Sequence, residues 1–338
     1  MAKKEFDIRN AVHTPPEAST HGVERVREME ANKHKAIPLP LKQVGYGEYF
    51  ANLMPGETCA VQAQTSNGKS MFINMWETRL AEYLKQQGRE DEAIIHVDTE
   101  NTVDALAIQE IARLSGLSLN ELSRGEVREW EDIYFAAVKL AGVEVFRIAG
   151  LLGEDETPDL HLSNVYRAIQ YMVSGEMLDR PITPACIFVD YLQALPIDPE
   201  VGKSSDMEGQ RRLQVRQDVY RLRRMAQFFN CPVVVGVQAK QFLTGHLGPN
   251  LMIPGTYDGE ETASIAQRFD RILSLWMPKT THSVGDTLTH KSKSFQVDED
   301  VMFVKVNKQR GGLPAGRWWP CRIDYRSNSI EPDNRIIL

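Results

Sequence analysis

The sequence predicts an α/β fold in which a mostly parallel central sheet is flanked by helices. Three observations carry that expectation. Continuous apolar runs at residues 59–61, 93–97, 185–189 and 231–237 read as strands buried on both faces. Helical patterns separate them, opening at Met71, at Val103 and at Leu162. The first run also leads through a polar loop into a helix, the order a phosphate-binding turn requires. At 338 residues, the chain accommodates one large α/β domain with attachments, or two small domains. With 42% hydrophobic and 25% charged residues, a substantial core is expected.

Residues 1–45 are polar and broken by Pro15, Pro16, Pro38 and Pro40, with Val23, Val26 and Met29 at helical spacing between them. A short helical arm is expected there, its apolar stripe either docking on a neighbouring subunit or fraying as a tail. From Tyr46 the composition turns globular, so residues 46–338 are expected to form the working domain. Pro55-Gly56-Glu57 turns the chain into the first strand. The loop after it reads Ala63-Gln64-Thr65-Ser66-Asn67-Gly68-Lys69-Ser70. Gly68 lets backbone wrap an anion, Lys69 is placed to reach β- and γ-phosphates, and the Ser70 hydroxyl suits Mg²⁺. Ala63 stands where the usual pattern has its first glycine, and a Gly-Lys-Ser tripeptide also occurs by chance. The assignment therefore needs support from downstream.

That support comes in order along the chain. The run 93–97 closes on Asp98, Thr99 and Glu100. A carboxylate at the carboxyl end of a central strand lies beside the phosphate loop, so Glu100 is a candidate to polarise the attacking water. A helix N-cap cluster explains the same residues. Residues 143–148 read as a further strand. The run 185–189 ends in Asp190, the carboxylate expected to support Mg²⁺ through water, on a strand adjacent to that of the phosphate loop. Residues 214–229 form an amphipathic helix accompanied by Arg211, Arg212, Arg216, Arg221, Arg223 and Arg224, a pattern that more often marks a solvated face than a binding surface. The run 231–237 ends in Gln238, whose amide can sense a γ-phosphate. A Gly- and Pro-containing loop spans 240–262, longer than connections usually are. After a strand at 271–277, residues 278–300 are polar and loop-like. A strand at 301–306 finishes before Lys308 and Arg310, two cations able to reach a neighbour's site or to remain solvated. Residues 317–324 read as a closing strand, with Trp318 and Trp319 suited to packing more than to stacking on bases.

Bulk charge narrows the partners. Lys plus Arg number 39 and Asp plus Glu 46, so 39 − 46 = −7, and any nucleic-acid site must be local. Cys59, Cys186, Cys231 and Cys321 never form a Cys-x-x-Cys pair, which argues against zinc and against a disulfide framework. The start has no apolar signal region and no apolar stretch approaches the ~20 residues that span a bilayer, so a cytoplasmic protein is expected.

Taken together, these segments resemble the C-terminal motor domain of the replicative DnaB-type helicase family, a RecA-like P-loop fold. Ala63 to Ser70 is similar to the family's A-R-P-S-M-G-K-T loop, which also begins with alanine. Val189-Asp190-Tyr191-Leu192-Gln193 matches the family's V-D-Y-L-Q. Glu100 falls where the family has its catalytic glutamate, and residues 232–238 resemble the strand ending in the sensor glutamine. Ser264-Ile265-Ala266-Gln267 with Asp270 resembles S-I-E-Q-x-A-D, and Lys308-Gln309-Arg310 the K-Q-R of the trans-acting fingers. The likeness runs from about Tyr46 to Ile330, leaving a 45-residue arm where the family carries a helical N-terminal collar domain. Val237, Ala239 and Lys240 depart from the serine before, and the asparagine and arginine after, that glutamine.

The resemblance implies an ATP- and Mg²⁺-dependent DNA helicase, a ring of copies, expected to be hexameric, that moves on single-stranded DNA in replication of a phage, plasmid or other element. A loader or primase is the implied protein partner. Lys69, Ser70, Glu100, Asp190 and Gln238 are expected around one triphosphate, completed by Lys308 and Arg310 of the adjacent copy. Lys203, Arg211, Arg212 and Lys240, in loops facing the channel, are the candidate DNA contacts. A RecA-like switch that binds protein partners without unwinding is the rival reading, and a recombinase-like filament a third.

Overall fold

The computed structural model describes residues 14–41, 52–127, 130–142, 144–150, 159–199, 207–241, 252–260, 264–290, 293–310, 315–325 and 329–333. A helix α1 (Pro15–Ala31) comes first, capped at Thr14 by a reciprocal Thr14/Glu17 capping box. The α/β part then runs β1 (Thr58–Ala63), α2 (Lys69–Gln86), β2 (Glu92–Asp98), α3 (Val103–Ser115), α4 (Leu119–Ser123), α5 (Trp130–Ala141) and β3 (Val145–Ile148). It continues through α6 (Leu162–Ser174), β4 (Thr183–Asp190), α7 (Met207–Phe229), β5 (Val233–Gln238), α8 (Ser264–Arg268) and β6 (Arg271–Trp276). Five strands follow among the described residues: β7 (Thr287–His290), β8 (Lys293–Gln296), β9 (Val301–Gln309), β10 (Trp318–Asp324) and β11 (Ser329–Pro332).

The central sheet has the order β11-β10-β9-β6-β1-β5-β4-β2-β3. The six strands from β6 to β3 pair in parallel, whereas β9, β10 and β11 extend the sheet antiparallel. The parallel strands are valine- and isoleucine-rich because both of their faces are covered. On one face α2 buries Phe72, Ile73, Trp76, Leu80 and Leu84 against Val61, Phe188, Val234 and Leu275. Each such side chain contributes roughly 1.5–3 kcal/mol of transfer free energy. On the other face α6, α7 and α8 pack Ile169, Val219, Leu222 and Ile265 against Ile95, Val189, Val235 and Ile272. The four cysteines are buried as free thiols, and burial pushes that of Cys59 up to about 12.

Four expectations change. The strand of the phosphate loop and that of Asp190 are not neighbours, because β5 lies between β1 and β4. Ala36, Ile37, Leu39 and Leu41, expected in the arm, are buried, with the Trp76 indole donating to the Pro38 carbonyl at 3.0 Å. Apolar side chains in a proline-rich stretch complete the core that α2 begins. Within 278–300, expected as polar loop, β7 and β8 pair as a hairpin whose Leu288 and Phe295 pack with Trp276 and Phe303. Two apolar residues among many polar ones suffice, because a hairpin needs only one buried face. Finally, β9 continues to Gln309, so Lys308 lies within the strand and not beyond it. Among the described residues no helix is long and apolar enough to cross a membrane.

Candidate active site

Parallel register gathers the strand ends at one rim. Ala63 of β1 pairs with Gln238 of β5, and Asp98 of β2 pairs with Asp190 of β4. The chain leaves β1 into the loop 63–70 and enters α2, whose N-terminal amides point at this rim and favour an anion there. Gly68 caps α2 with φ +75°, a left-handed conformation that glycine adopts without strain. Ser66 also takes positive φ, at 64°. Asn67 is buried, and its side-chain oxygen accepts from the Met277 amide at 2.7 Å and the Thr280 hydroxyl at 3.1 Å. That ties the loop to the chain leaving β6. Gln64 donates to the Lys240 carbonyl at 2.8 Å, and Ala63 accepts from the Ala239 amide at 2.7 Å. The loop is therefore braced from both neighbouring strands before any ligand enters.

Lys69 and Asp190 meet across β5. The Lys69 ammonium lies 3.2 Å from Asp190 Oδ1 and 3.5 Å from the centre of the Tyr191 ring. Burial pulls the ammonium below the ordinary lysine range, against the upward pull of Asp190 and, more weakly, of Glu100 and Asp98. Asp190 is 2% exposed, and its Oδ1 has no hydrogen-bond partner of good geometry among the described residues. A buried carboxylate oxygen with spare capacity suits a hydrated cation. The approach depends on Gly236. A Cβ there would lie 2.7 Å from Asp190 Oδ1, 3.1 Å from Tyr191 Cβ and 3.2 Å from Lys69 Cδ. The sequence reading passed over this residue, although a lone glycine in a valine strand signals close approach.

Gln238 joins the same cluster. Its side-chain amide donates to the Thr65 hydroxyl at 2.7 Å. Its backbone is held at both ends by Gln193, which accepts from the Gln238 amide at 2.9 Å and donates to its carbonyl at 3.2 Å. Gln193, which the sequence marks only within a motif, links the strand end carrying Asp190 to the end of β5. Glu100 stands two residues past the end of β2, and its field reaches both Lys69 and the Tyr191 hydroxyl, whose ionisation burial makes harder. It is not a cap. The N-cap of α3 is Thr102, which accepts from the Ala105 amide at 3.4 Å.

Lys308 and Arg310 are elsewhere. Gln309 pairs with Arg271, and Arg271 pairs with Cys59, so they sit at the amino-terminal rim of the parallel strands. A strand of this length separates the rims by roughly 15 Å or more. The Lys308 ammonium donates to the carbonyls of Ala266, Phe269 and Gln267 at 2.6, 2.7 and 3.3 Å, around the end of α8. Arg310 pairs with Asp270 at 3.1 Å and donates to the Gln267 carbonyl. Within one copy neither touches Lys69.

The expected DNA contacts divide. Lys203 lies outside the described residues. Arg211 and Arg212 lie in the first turns of α7 and not in a loop, because the helix begins at Met207; Arg211 turns inward, donating to the carbonyls of Leu195, at 2.7 Å, and Gln193. It thus braces the segment after β4, a use that a basic run does not announce. Arg212 is exposed and pairs with Glu208, while Lys240 is exposed with its amide bound to the Asp258 carbonyl at 2.8 Å.

Comparison with known proteins bears on the family and the fold. The family profile described as the DnaB-like helicase C terminal domain matches residues 46–317. A solved structure of a DnaB-like replicative helicase, described with its interactions with primase, gives a TM-score of 0.63 at 14% identity, covering 82% of this chain and 59% of that one. A second, described as an ATPase domain, gives 0.62 at 14% identity, covering 82% of this chain and 85% of that one. The chain thus spans about three fifths of the first structure, and at this identity the likeness bears on the fold. No curated protein matches the chain.

Proposed function

Because the chain belongs to the family of DnaB-like helicase C-terminal domains, we propose that it hydrolyses ATP as a ring-forming motor that moves along single-stranded DNA and separates strands. One observation carries the reading: Lys69, Asp190 and Gln238 converge on the phosphate loop at one rim, while Lys308 and Arg310 stand at the other. A cation pair that cannot serve its own site is suited to completing a neighbour's, and copies repeating that contact form a ring when the rotation between them closes.

In this mechanism the amides of 63–70 and the Lys69 ammonium hold the β- and γ-phosphates of ATP. Ser70 and Asp190 would hold Mg²⁺, which supplies charge neutralisation on the phosphates. The spare Oδ1 of Asp190 supports that fit. Glu100 takes the proton from the attacking water, and Gln238 contacts the γ-phosphate and passes its loss to β5 and the residues after it. Arg310 and Lys308 of the adjacent copy stabilise charge as the γ-phosphoryl group departs. Two apolar faces exposed among the described residues support assembly with further copies: Val23, Val26 and Met29 on α1, and Trp130, Tyr134, Phe135 and Val138 on α5. Single-stranded DNA would thread the channel past Arg212 and Lys240. A primase or loader is the proposed protein partner.

The test is ATP turnover by the full chain with and without single-stranded DNA, alongside strand separation on a forked duplex. Stimulation together with unwinding is expected. Turnover without either would assign the chain to a nucleotide-dependent switch, a reading favoured by Arg211 being engaged within its own fold.

A further inference from the structure

Behind Glu100 lies a chain of ionisable groups that the reaction as described does not use. It begins at Arg147 on β3, whose guanidinium donates to Glu77 Oε2 at 2.7 Å. Glu77, on α2 and 2% exposed, holds His96 Nδ1 through its other oxygen. His96, fully buried in β2, has its second nitrogen 3.5 Å from Asp98 Oδ2, a charge contact without hydrogen-bond alignment. Asp98 is 1% exposed and ends the chain at the site. Its Oδ1 accepts from the backbone amides of Glu100, at 2.8 Å, and Asn101, at 2.7 Å, and its Oδ2 accepts from the Asn101 side chain at 3.0 Å. Thr99, between them, donates its amide to the Asp190 carbonyl at 3.2 Å.

We propose that Asp98 is a positioning residue for hydrolysis: backed by the His96 imidazole, which Glu77 and Arg147 hold in place, its carboxylate fixes the turn that presents Glu100 to the attacking water. A buried carboxylate, an imidazole, a second carboxylate and a guanidinium in series cost much desolvation, and a core needing only packing would place apolar residues there. Here the series ends on the two amides whose positions set the direction of Glu100. The anchor spans three elements, β3, α2 and β2, so the turn is referenced to the rigid sheet and not to a loop. A general base misplaced by about 1 Å forfeits up to roughly 100-fold in rate.

The inference rests on the proposed role of Glu100, so the experiment separates the two. ATP turnover and nucleotide affinity are measured for the full chain carrying Asp98→Ala, Glu100→Gln and both. Expected is a roughly 30- to 100-fold fall in kcat for Asp98→Ala, with KM for ATP changed less than about twofold, and no further fall when it is added to Glu100→Gln. Asp98→Asn keeps an acceptor for both amides and should recover to within about fivefold of the parent. If the alanine chain melts below the assay temperature, Asp98→Asn carries the same cycle with a smaller coupled effect. Equal losses from the Asp98 change in both backgrounds, or a KM effect alone, would overturn the positioning role while leaving Glu100 in place. Undiminished turnover by Glu100→Gln would remove the role of Glu100 itself, and the positioning role with it.

Discussion

The two rims of the parallel sheet hold similar charges in opposite states. At the carboxyl rim, Asp190 faces Lys69 with an oxygen that has no well-aligned donor, and burial holds the lysine below its usual range. At the amino rim, Asp270 is saturated: its Oδ2 accepts from the Thr58 amide and hydroxyl at 2.9 and 3.0 Å, and its Oδ1 faces Arg310 at 3.1 Å. Lys308 is tied to three carbonyls there. The first rim keeps binding capacity in reserve, inside the protein. The second fixes Arg310 through its carboxylate and Lys308 through backbone carbonyls, with the Arg310 side chain still 41% exposed. A carboxylate–cation pair is thus no sign of a reactive site in itself; what separates these two is the capacity left after folding.

The sharpest way to break the comparison is Lys69→Ala. Turnover is expected to fall on the order of 1,000-fold, with the fold intact by circular dichroism; retained turnover would put phosphate binding elsewhere. Next is Arg310→Ala, for which a loss of about 100-fold is expected in the assembled protein. Because the effect should pass through the neighbour, mixing Arg310→Ala with Lys69→Ala chains under subunit exchange is expected to restore part of the activity. Absence of any rescue would return Arg310 to a role confined to its own rim. Gly236→Ala sharpens the other side. A methyl group 2.7 Å from Asp190 Oδ1 should part Lys69 from Asp190 and lower ATP affinity roughly tenfold, measurable with a fluorescent analogue.

The smallest expected effect is on stability. Burial opposes protonation of His96, but Glu77 and Asp98 outweigh it and raise its pKa from 6.5 to about 9. The folded state therefore binds this proton more tightly than the unfolded state. The contribution is complete below pH 6.5 and is lost as pH rises towards 9. The melting temperature should fall by several degrees across that interval, and by less in His96→Gln. An unchanged slope would show that His96 is not charged in the fold.

Much of the candidate site was legible in order along the chain. Ala63 to Ser70 between an apolar run and a helix, a run closing on Asp190, and another closing on Gln238 identify a phosphate loop and two strand ends, because strand, turn and helix each have a local period or composition. Residues acting across the sheet were not legible. Gly236 matters only because β5 separates β1 from β4, which the sequence order does not reveal. Arg211 and Arg212 are adjacent in one basic run, yet one is drawn into carbonyls after β4 and the other faces solvent. The hairpin of β7 and β8 stayed hidden because Leu288 and Phe295 gain meaning only against Trp276 and Phe303.

What the sequence by itself determined is the chemistry offered at each strand end and the likeness to one family, since these rest on short contiguous patterns. Which strand ends meet, which cation faces which rim, and which carboxylate oxygen lacks a well-aligned donor were decided only in the folded chain. Those properties depend on distances between residues far apart in sequence, and strand pairing, not composition, sets them.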